Sequence, residues 1–269
     1  MPEGHVIHRL AADYAERFAG RPARVDSPQG KFADAAALLD GQPLTAAEAH
    51  GKHLFLGFPA VGWVHVHLGL YGKAAFGTAP VPPPVGQIRL RLANEAHWAE
   101  LRGPNTCALR TPDEMAAVAA RLGPDPLRAD ADPEAAWRRI STSRSAVATL
   151  LMDQRVIAGV GNVYRAEVLF RHGIDPYRPG RDLDRAEWTA CWADLVALMR
   201  DGVRLARIDT VRPEHTPEAM GRAPRVDDHG GEVYVYRRAG QPCLVCGTEV
   251  ATARIAARNL FWCPGCQRR

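Results

Sequence analysis

Val64, Val66 and Leu68 alternate with His65 and His67, and Ile88, Leu90 and Leu92 alternate with Arg89 and Arg91. A period of two matches the side-to-side alternation of a strand, so both segments are predicted as half-buried strands. Short segments of this kind dominate the first 110 residues. The Pro-rich stretch from Ala79 to Val85 cannot donate ladder hydrogen bonds and is predicted as a loop. At the start of the chain Leu10, Tyr14 and Phe18 recur every four residues, which predicts an opening helix from about Pro2 to Phe18.

The pattern changes after Leu122-Gly-Pro-Asp-Pro-Leu127, whose two prolines discourage continuous helix and suggest a linker. Beyond it Asp132 can cap a helix that carries Pro133 at its first position, and Trp188, Cys191, Trp192, Leu195 and Met199 recur at helical spacing. Residues 144–155 read as an amphipathic helix and Asn162 to His172 as another, separated by Val156-Ile-Ala-Gly-Val-Gly161. The glycines permit positive φ and close backbone approach. Asn162 is expected to cap the second helix, whose free amides and dipole favour an anion, although such a hairpin also serves plain packing. From about Gly230 strand-like text returns in Val233-Tyr-Val-Tyr236. No internal repeat is evident. The expected architecture is α+β and multidomain, with domains at 1–122, 123–237 and 238–269.

Composition adds that 46% apolar and 24% charged residues describe a soluble globular chain. No apolar run approaches the roughly 18 residues a membrane helix needs, and the start Met-Pro-Glu-Gly lacks the basic and apolar regions of a signal peptide. A cytoplasmic protein without a membrane partner is expected. Residues 204–269 hold eleven Arg, no Lys and seven Asp or Glu, which accounts for the whole net charge of +4. Clustered guanidinium groups suit phosphate, and a solvated Arg surface is the competing reading.

Four of the six cysteines form a C-x2-C-x16-C-x2-C array, Cys243, Cys246, Cys263 and Cys266. Each pair can supply two thiolates from one tight turn, which predicts one structural Zn2+ in a closed four-sulfur shell that leaves no open coordination position. Between the pairs, Val250 to Trp262 can form a hairpin with Arg258-Asn259 near its tip, where an Arg is able to read phosphate. At the other end of the chain, removal of the initiator methionine would expose Pro2 as a secondary amine beside the Glu3 carboxylate. Cys107 and Cys191 default to core packing.

Pro2-Glu3, Gly51-Lys52-His53-Leu54-Phe55, Gly159-Val-Gly-Asn162 with Tyr164-Arg-Ala-Glu167, and Arg258-Asn-Leu-Phe-Trp-Cys-Pro-Gly-Cys266 together resemble the formamidopyrimidine-DNA glycosylase and endonuclease VIII family over nearly the whole chain. Met1-Pro-Glu-Gly-His5, Val64-His-Val-His-Leu-Gly-Leu-Tyr-Gly72 and the run from Arg222-Ala-Pro-Arg to Tyr236-Arg-Arg resemble the endonuclease VIII branch of actinobacterial type. The resemblance implies an N-terminal β-sandwich with an opening helix, a helix-two-turn-helix domain and a C-terminal zinc β-hairpin. It also implies a monomer acting on damaged double-stranded DNA that crosses the cleft between domains, in a bacterial cytoplasm and on the nucleoid.

The implied activity is a bifunctional DNA glycosylase and AP lyase of base excision repair. Pro2 would be the nucleophile, Glu3 the proton carrier, and Lys52 and Arg258 the stabilisers of charge at the lesion. Asn162, Arg258 and His67 would hold the backbone, with Leu70 and Tyr71 filling the gap left by the flipped base. Two departures stand out. Gly69 replaces a Gln of endonuclease VIII that reaches the orphaned partner base, and Val6 stands where the formamidopyrimidine branch has a Glu associated with release of oxidised guanine. Oxidised pyrimidines are therefore favoured, and no lesion-capping loop is recognisable between Arg207 and Gly231. A purine-lesion glycosylase of the same fold and a DNA-binding module without catalysis remain as alternatives.

Overall fold

Helix α1 (Gly4–Phe18) buries Ile7, Leu10, Ala11, Tyr14 and Phe18 along one face, the spacing that a 3.6-residue period requires. It opens a computed structural model that describes residues 2–227 and 231–268 and divides into two units, Met1–Arg121 and Leu122–Arg269. Helix α1 is followed by β1 (Arg24–Asp26), α2 (Ala33–Leu39), β2 (Ala46–His50), β3 (His53–Phe58), β4 (Gly62–His67), β5 (Lys73–Thr78), β6 (Ile88–Ala93), β7 (His97–Arg102), β8 (Thr106–Arg110) and α3 (Pro112–Ala119).

The strands form two four-stranded antiparallel sheets, ordered β1-β6-β7-β5 and β2-β3-β4-β8. Leu54, Leu56, Val64 and Val66 of one sheet share a core with Val25, Leu90, Leu92 and Leu101 of the other and with α1, so the first unit is the expected β-sandwich. The prediction of half-buried strands needs one correction. The outward-facing side of β3 and β4 is covered too, because Phe55 and His65 are both buried and stack with ring centroids 4.8 Å apart.

The second unit runs through α4 (Pro133–Ile140), α5 (Val147–Leu150), α6 (Asn162–Arg171), α7 (Arg185–Leu205), α8 (Pro217–Met220) and the hairpin β9 (Ala251–Ile255) and β10 (Arg258–Trp262). Asp132 caps α4 through Glu134 N–H, with Pro133 at the first position. Trp188, Cys191, Leu195 and Met199 line the buried face of α7. Their cluster continues without a break into Val250, Leu260, Phe261 and Cys263, so the finger shares its apolar core with the helices. No helix among the described residues is long and apolar enough to cross a membrane.

Three local expectations are overturned. Residues 144–155 hold one helical turn, α5, because the backbone before it bonds elsewhere: Gly180 N–H donates to Ser145 O and Val147 N–H to Arg178 O. Val233–Tyr236 is no strand. All four residues are buried, and the amides of Tyr234, Val235 and Tyr236 donate to the Glu167 carboxylate at 2.7, 2.9 and 2.8 Å rather than to a sheet partner. Asn162 does not cap α6. Gly161, in an extended conformation, occupies the cap position, and the Asn162 side chain turns toward the finger.

Candidate active site

In the first unit Glu3 stands at the N-cap position of α1 and is fully buried, with Pro2 half-buried before it; Met1 lies outside the described residues. Val6 N–H donates to Glu3 O at 3.0 Å, which fixes the chain as it enters the helix. Helix α1 rests on β2 and β3, so the start of the chain is carried by the sheet whose hairpin presents Lys52. That hairpin is short: His50 pairs with His53 across Gly51-Lys52, and Gly51 adopts φ +59°, as the first central position of such a turn requires.

The rings of His53 on β3 and of His65 and His67 on β4 cluster on the strands next to the Lys52 hairpin. His53 Nδ1 lies 2.8 Å from His65 Nε2, and the His53 ring lies 4.9 Å from that of His67. Burial, then the neighbouring His67, His65 and His50 and the Lys52 charge, push His53 down to about 3. Burial and the Arg110 charge push His65 down to about 4. His67 is lowered by burial and then by Lys52. These rings are therefore neutral at pH 7, and the hairpin offers its positive charge at Lys52 and not as a diffuse imidazolium patch. On α1, burial lowers His5 to about 4, so the ring beside Pro2 and Glu3 is neutral as well.

Leu70 and Tyr71 occupy the β4–β5 connection at 49% and 83% exposure, apolar side chains held out at a loop tip rather than in the core. The loop is closed by Gly72 N–H donating to Leu68 O at 3.0 Å. Gly69 has φ +68°, and a Cβ there would lie 2.9 Å from Asn105 Cγ. A Gln at 69 would have to adopt a left-handed backbone and displace the side chain of Asn105, whose place beside this loop the sequence reading missed.

In the second unit Gln154 staples the turn before α6. Its amide donates to Val160 O at 2.9 Å and accepts from Gly159 N–H at 3.0 Å. Asn162 Nδ2 donates to Asn259 O at 2.9 Å, so Asn162 and Arg258, the residue before Asn259, are brought together. Arg258 opens β10 directly after the turn Ala256-Ala257.

The thiols of Cys243, Cys246, Cys263 and Cys266 all lie within 4.8 Å of one another. Zinc–sulfur bonds of about 2.3 Å in a tetrahedron put sulfurs about 3.8 Å apart. The Cys243–Cys266 and Cys246–Cys263 separations are 3.8 and 3.4 Å, so the donor set fits one structural Zn2+. Gly265 is dictated by this packing, since a Cβ there would fall 2.9 Å from Cys246 Sγ and 2.5 Å from Thr248 Oγ1.

The buried polar pair Arg165 and Glu167 escaped the sequence reading as separate functional groups. Every residue from Asn162 to Phe170 of α6 is buried, so no polar face marked them.

Three family descriptions match the chain: the formamidopyrimidine-DNA glycosylase N-terminal domain over residues 1–107, its H2TH domain over 122–212, and a zinc finger found in FPG and IleRS over 240–269. Endonuclease 8 1 of Mycobacterium tuberculosis is 52% identical over 274 residues, covering 99% of this chain and all of that protein. The chain belongs to the formamidopyrimidine-DNA glycosylase and endonuclease VIII family. Within this family of DNA glycosylases, the formamidopyrimidine-DNA glycosylase of Methylococcus capsulatus is 33% identical over 291 residues, with both chains fully covered. The endonuclease 8 identity at 52% puts the chain on that branch. A Lactococcus lactis Fpg solved in complex with abasic-site DNA shares the fold at a TM-score of 0.80 and 20% identity, covering 99% of this chain and all of that one.

Proposed function

We propose that this family member is a bifunctional DNA glycosylase and AP lyase of base excision repair that acts as a monomer on oxidised bases in duplex DNA in the bacterial cytoplasm. The observation that carries the reading is the enclosed Glu3 carboxylate next to Pro2 at the head of α1, in a chain 52% identical to an endonuclease 8. Once Met1 is removed, the Pro2 nitrogen attacks C1′ of the damaged nucleoside. The glycosidic bond breaks, the base leaves with a proton, and Glu3 protonates O4′ so that the sugar opens to an iminium. A terminal amine titrates near 8 against about 10.4 for a lysine side chain, so more of it is nucleophilic at neutral pH. The iminium accepts the electron pair released when C2′ loses a proton, which lets the 3′ phosphate depart from C3′; loss of the C4′ proton into the extended iminium then expels the 5′ phosphate from C5′.

Lys52, raised on its hairpin among neutral rings, supplies charge to the phosphates at the lesion, with His67 as a neutral hydrogen-bonding neighbour. Leu70 and Tyr71 fill the space of the extruded base, as their exposure at a loop tip supports. Arg258 and the amino end of α6 at Asn162 hold backbone phosphates. Val6 packs on the apolar core beside Glu3, which supports a preference for oxidised pyrimidines over lesions that need a second carboxylate there.

Borohydride trapping tests this reading. The wild-type chain should cross-link to duplexes carrying an abasic site or an oxidised pyrimidine. A chain with an uncleaved N-terminal extension should bind the abasic duplex and form no adduct. Glu3→Gln should lose base excision more than it loses cleavage at an existing abasic site. Cross-linking of the blocked chain at the wild-type rate refutes Pro2 and turns suspicion to Lys52.

A further inference from the structure

We propose that Arg165 is a positioning residue that sets where Arg258 meets the DNA backbone; the proposal rests on the reading of Arg258 as a phosphate contact. Arg165 lies one turn into α6 and is completely buried. A buried guanidinium is tolerated only where its donors are used. Here they reach three separate parts of the second unit. Nη1 donates to Ala148 O on α5 at 3.3 Å, and Nη2 donates to Asn162 Oδ1 and, at 3.1 Å, to Asn259 O on the finger. Asn259 O also accepts from Asn162 Nδ2 at 2.9 Å, so one backbone carbonyl of the hairpin is held by two donors from α6.

That carbonyl matters because of what precedes it. The hairpin turn is Ala256-Ala257, with φ of +48° and +59°. Two-residue turns of this hand favour Asn or Gly, since an alanine Cβ crowds the backbone in the left-handed region. The turn therefore does not specify its own geometry. Arg258, the first residue after it, takes its direction from the β9–β10 ladder on one side and from the Asn259 carbonyl on the other. Arg165 grips that carbonyl and Asn162 at once. It thereby fixes the spacing of the two groups assigned to phosphate, the finger arginine and the amino end of α6.

The test uses the zinc-loaded full chain and an abasic-site duplex, with Arg165→Met, Arg165→Lys, Arg258→Ala and the Arg165→Met/Arg258→Ala double variant. Arg165→Met should keep stoichiometric zinc but bind about tenfold more weakly, with a salt slope shallower by about one, the value for one phosphate contact. Arg258→Ala should do the same. The double variant should be no weaker than either single, because both remove one contact. Arg165→Lys, which keeps the charge and one set of donors, should fall between wild type and Met; should the Met variant fail to fold, the Lys variant carries the test. A folded Lys variant with wild-type affinity and slope overturns the proposal. So does a Met variant with the wild-type slope, or losses that multiply in the double variant. An Arg258→Ala chain with an unchanged salt slope overturns the phosphate reading itself, whatever happens at 165.

Discussion

Glu167→Gln is the substitution whose cost the structure allows to be worked out. The Glu167 carboxylate is fully buried and accepts four hydrogen bonds: Oε1 from Val235 N–H and Tyr236 N–H at 2.9 and 2.8 Å, Oε2 from Tyr234 N–H and Thr210 Oγ1 at 2.7 and 2.6 Å. A glutamine keeps the shape. Its oxygen can still serve Val235 and Tyr236, at a loss of about 1 kcal/mol each as charge-assisted bonds become neutral. Its NH2 then faces Tyr234 N–H, donor against donor, which leaves a buried amide unsatisfied at about 1–3 kcal/mol, while the Thr210 hydroxyl rotates to accept. The expected loss is about 3–5 kcal/mol, a large share of the stability of one domain. Alanine would strand all four donors and is expected to unfold the unit outright, so glutamine is the informative change.

The assay is urea unfolding followed by tryptophan emission, together with amide hydrogen exchange. Trp188 is buried in the second unit, while Trp63 and Trp98 report on the first. The midpoint of the transition reported by Trp188 should drop, and exchange protection should be lost first at Tyr234, Val235 and Tyr236, with the strands of the first unit unaffected. A shift of less than about 1 kcal/mol, or unchanged protection of those three amides, refutes the reasoning.

Cys243→Ser should abolish stoichiometric zinc and, because Leu260 and Phe261 belong to the helical core, should also lower the melting temperature of the second unit; zinc assay and calorimetry check both. His5 and His65, each held near 4 against an ordinary 6.5, stay neutral in the folded chain at about pH 5 while the unfolded chain protonates them. Their stabilisation is complete above about pH 6.5 and lost as pH falls toward 4, by ~2 kcal/mol per histidine at pH 5. Melts at both pH values should show the drop, and His65→Asn should flatten it. Leu70→Ala/Tyr71→Ala should leave stability within about 0.5 kcal/mol, as expected for exposed positions, yet lower base excision at least tenfold in single-turnover assays.

Much of the fold was readable because apolar spacing reports which face is buried. Leu10, Tyr14 and Phe18, the alternation at 64–68 and 88–92, and the four cysteines each encode one structural decision locally. The exposed Leu70 and Tyr71 were harder: in a period-two segment they look like core residues, and only the closed loop from Leu68 to Gly72 puts them outside. The region between Arg207 and Gly231, in which no lesion-capping loop could be read, holds a 3-10 turn at Pro213–His215, α8 and irregular backbone, with 228–230 outside the described residues.

What stayed illegible lies in bonds between distant polar groups. Val233-Tyr-Val-Tyr236 has the composition of a buried strand, and burial is what it obtains. Backbone amides in a buried segment require acceptors, and composition cannot say whether a neighbouring strand or a carboxylate supplies them. Here Glu167, 67 residues earlier than Tyr234, supplies them. The same holds for Asn162, whose side chain is of the right type for a cap but serves Asn259 O, 97 residues away. Both partners sit on α6, a helix buried on every side, where the hydrophobic pattern that betrays amphipathic helices is lost and polar residues look like interruptions. These interruptions connect the helical part of the second unit to its finger. A chain that placed Leu at 165 or 167 would read as a better core helix and would lack the bonds that hold Asn259 and the 234–236 backbone in place.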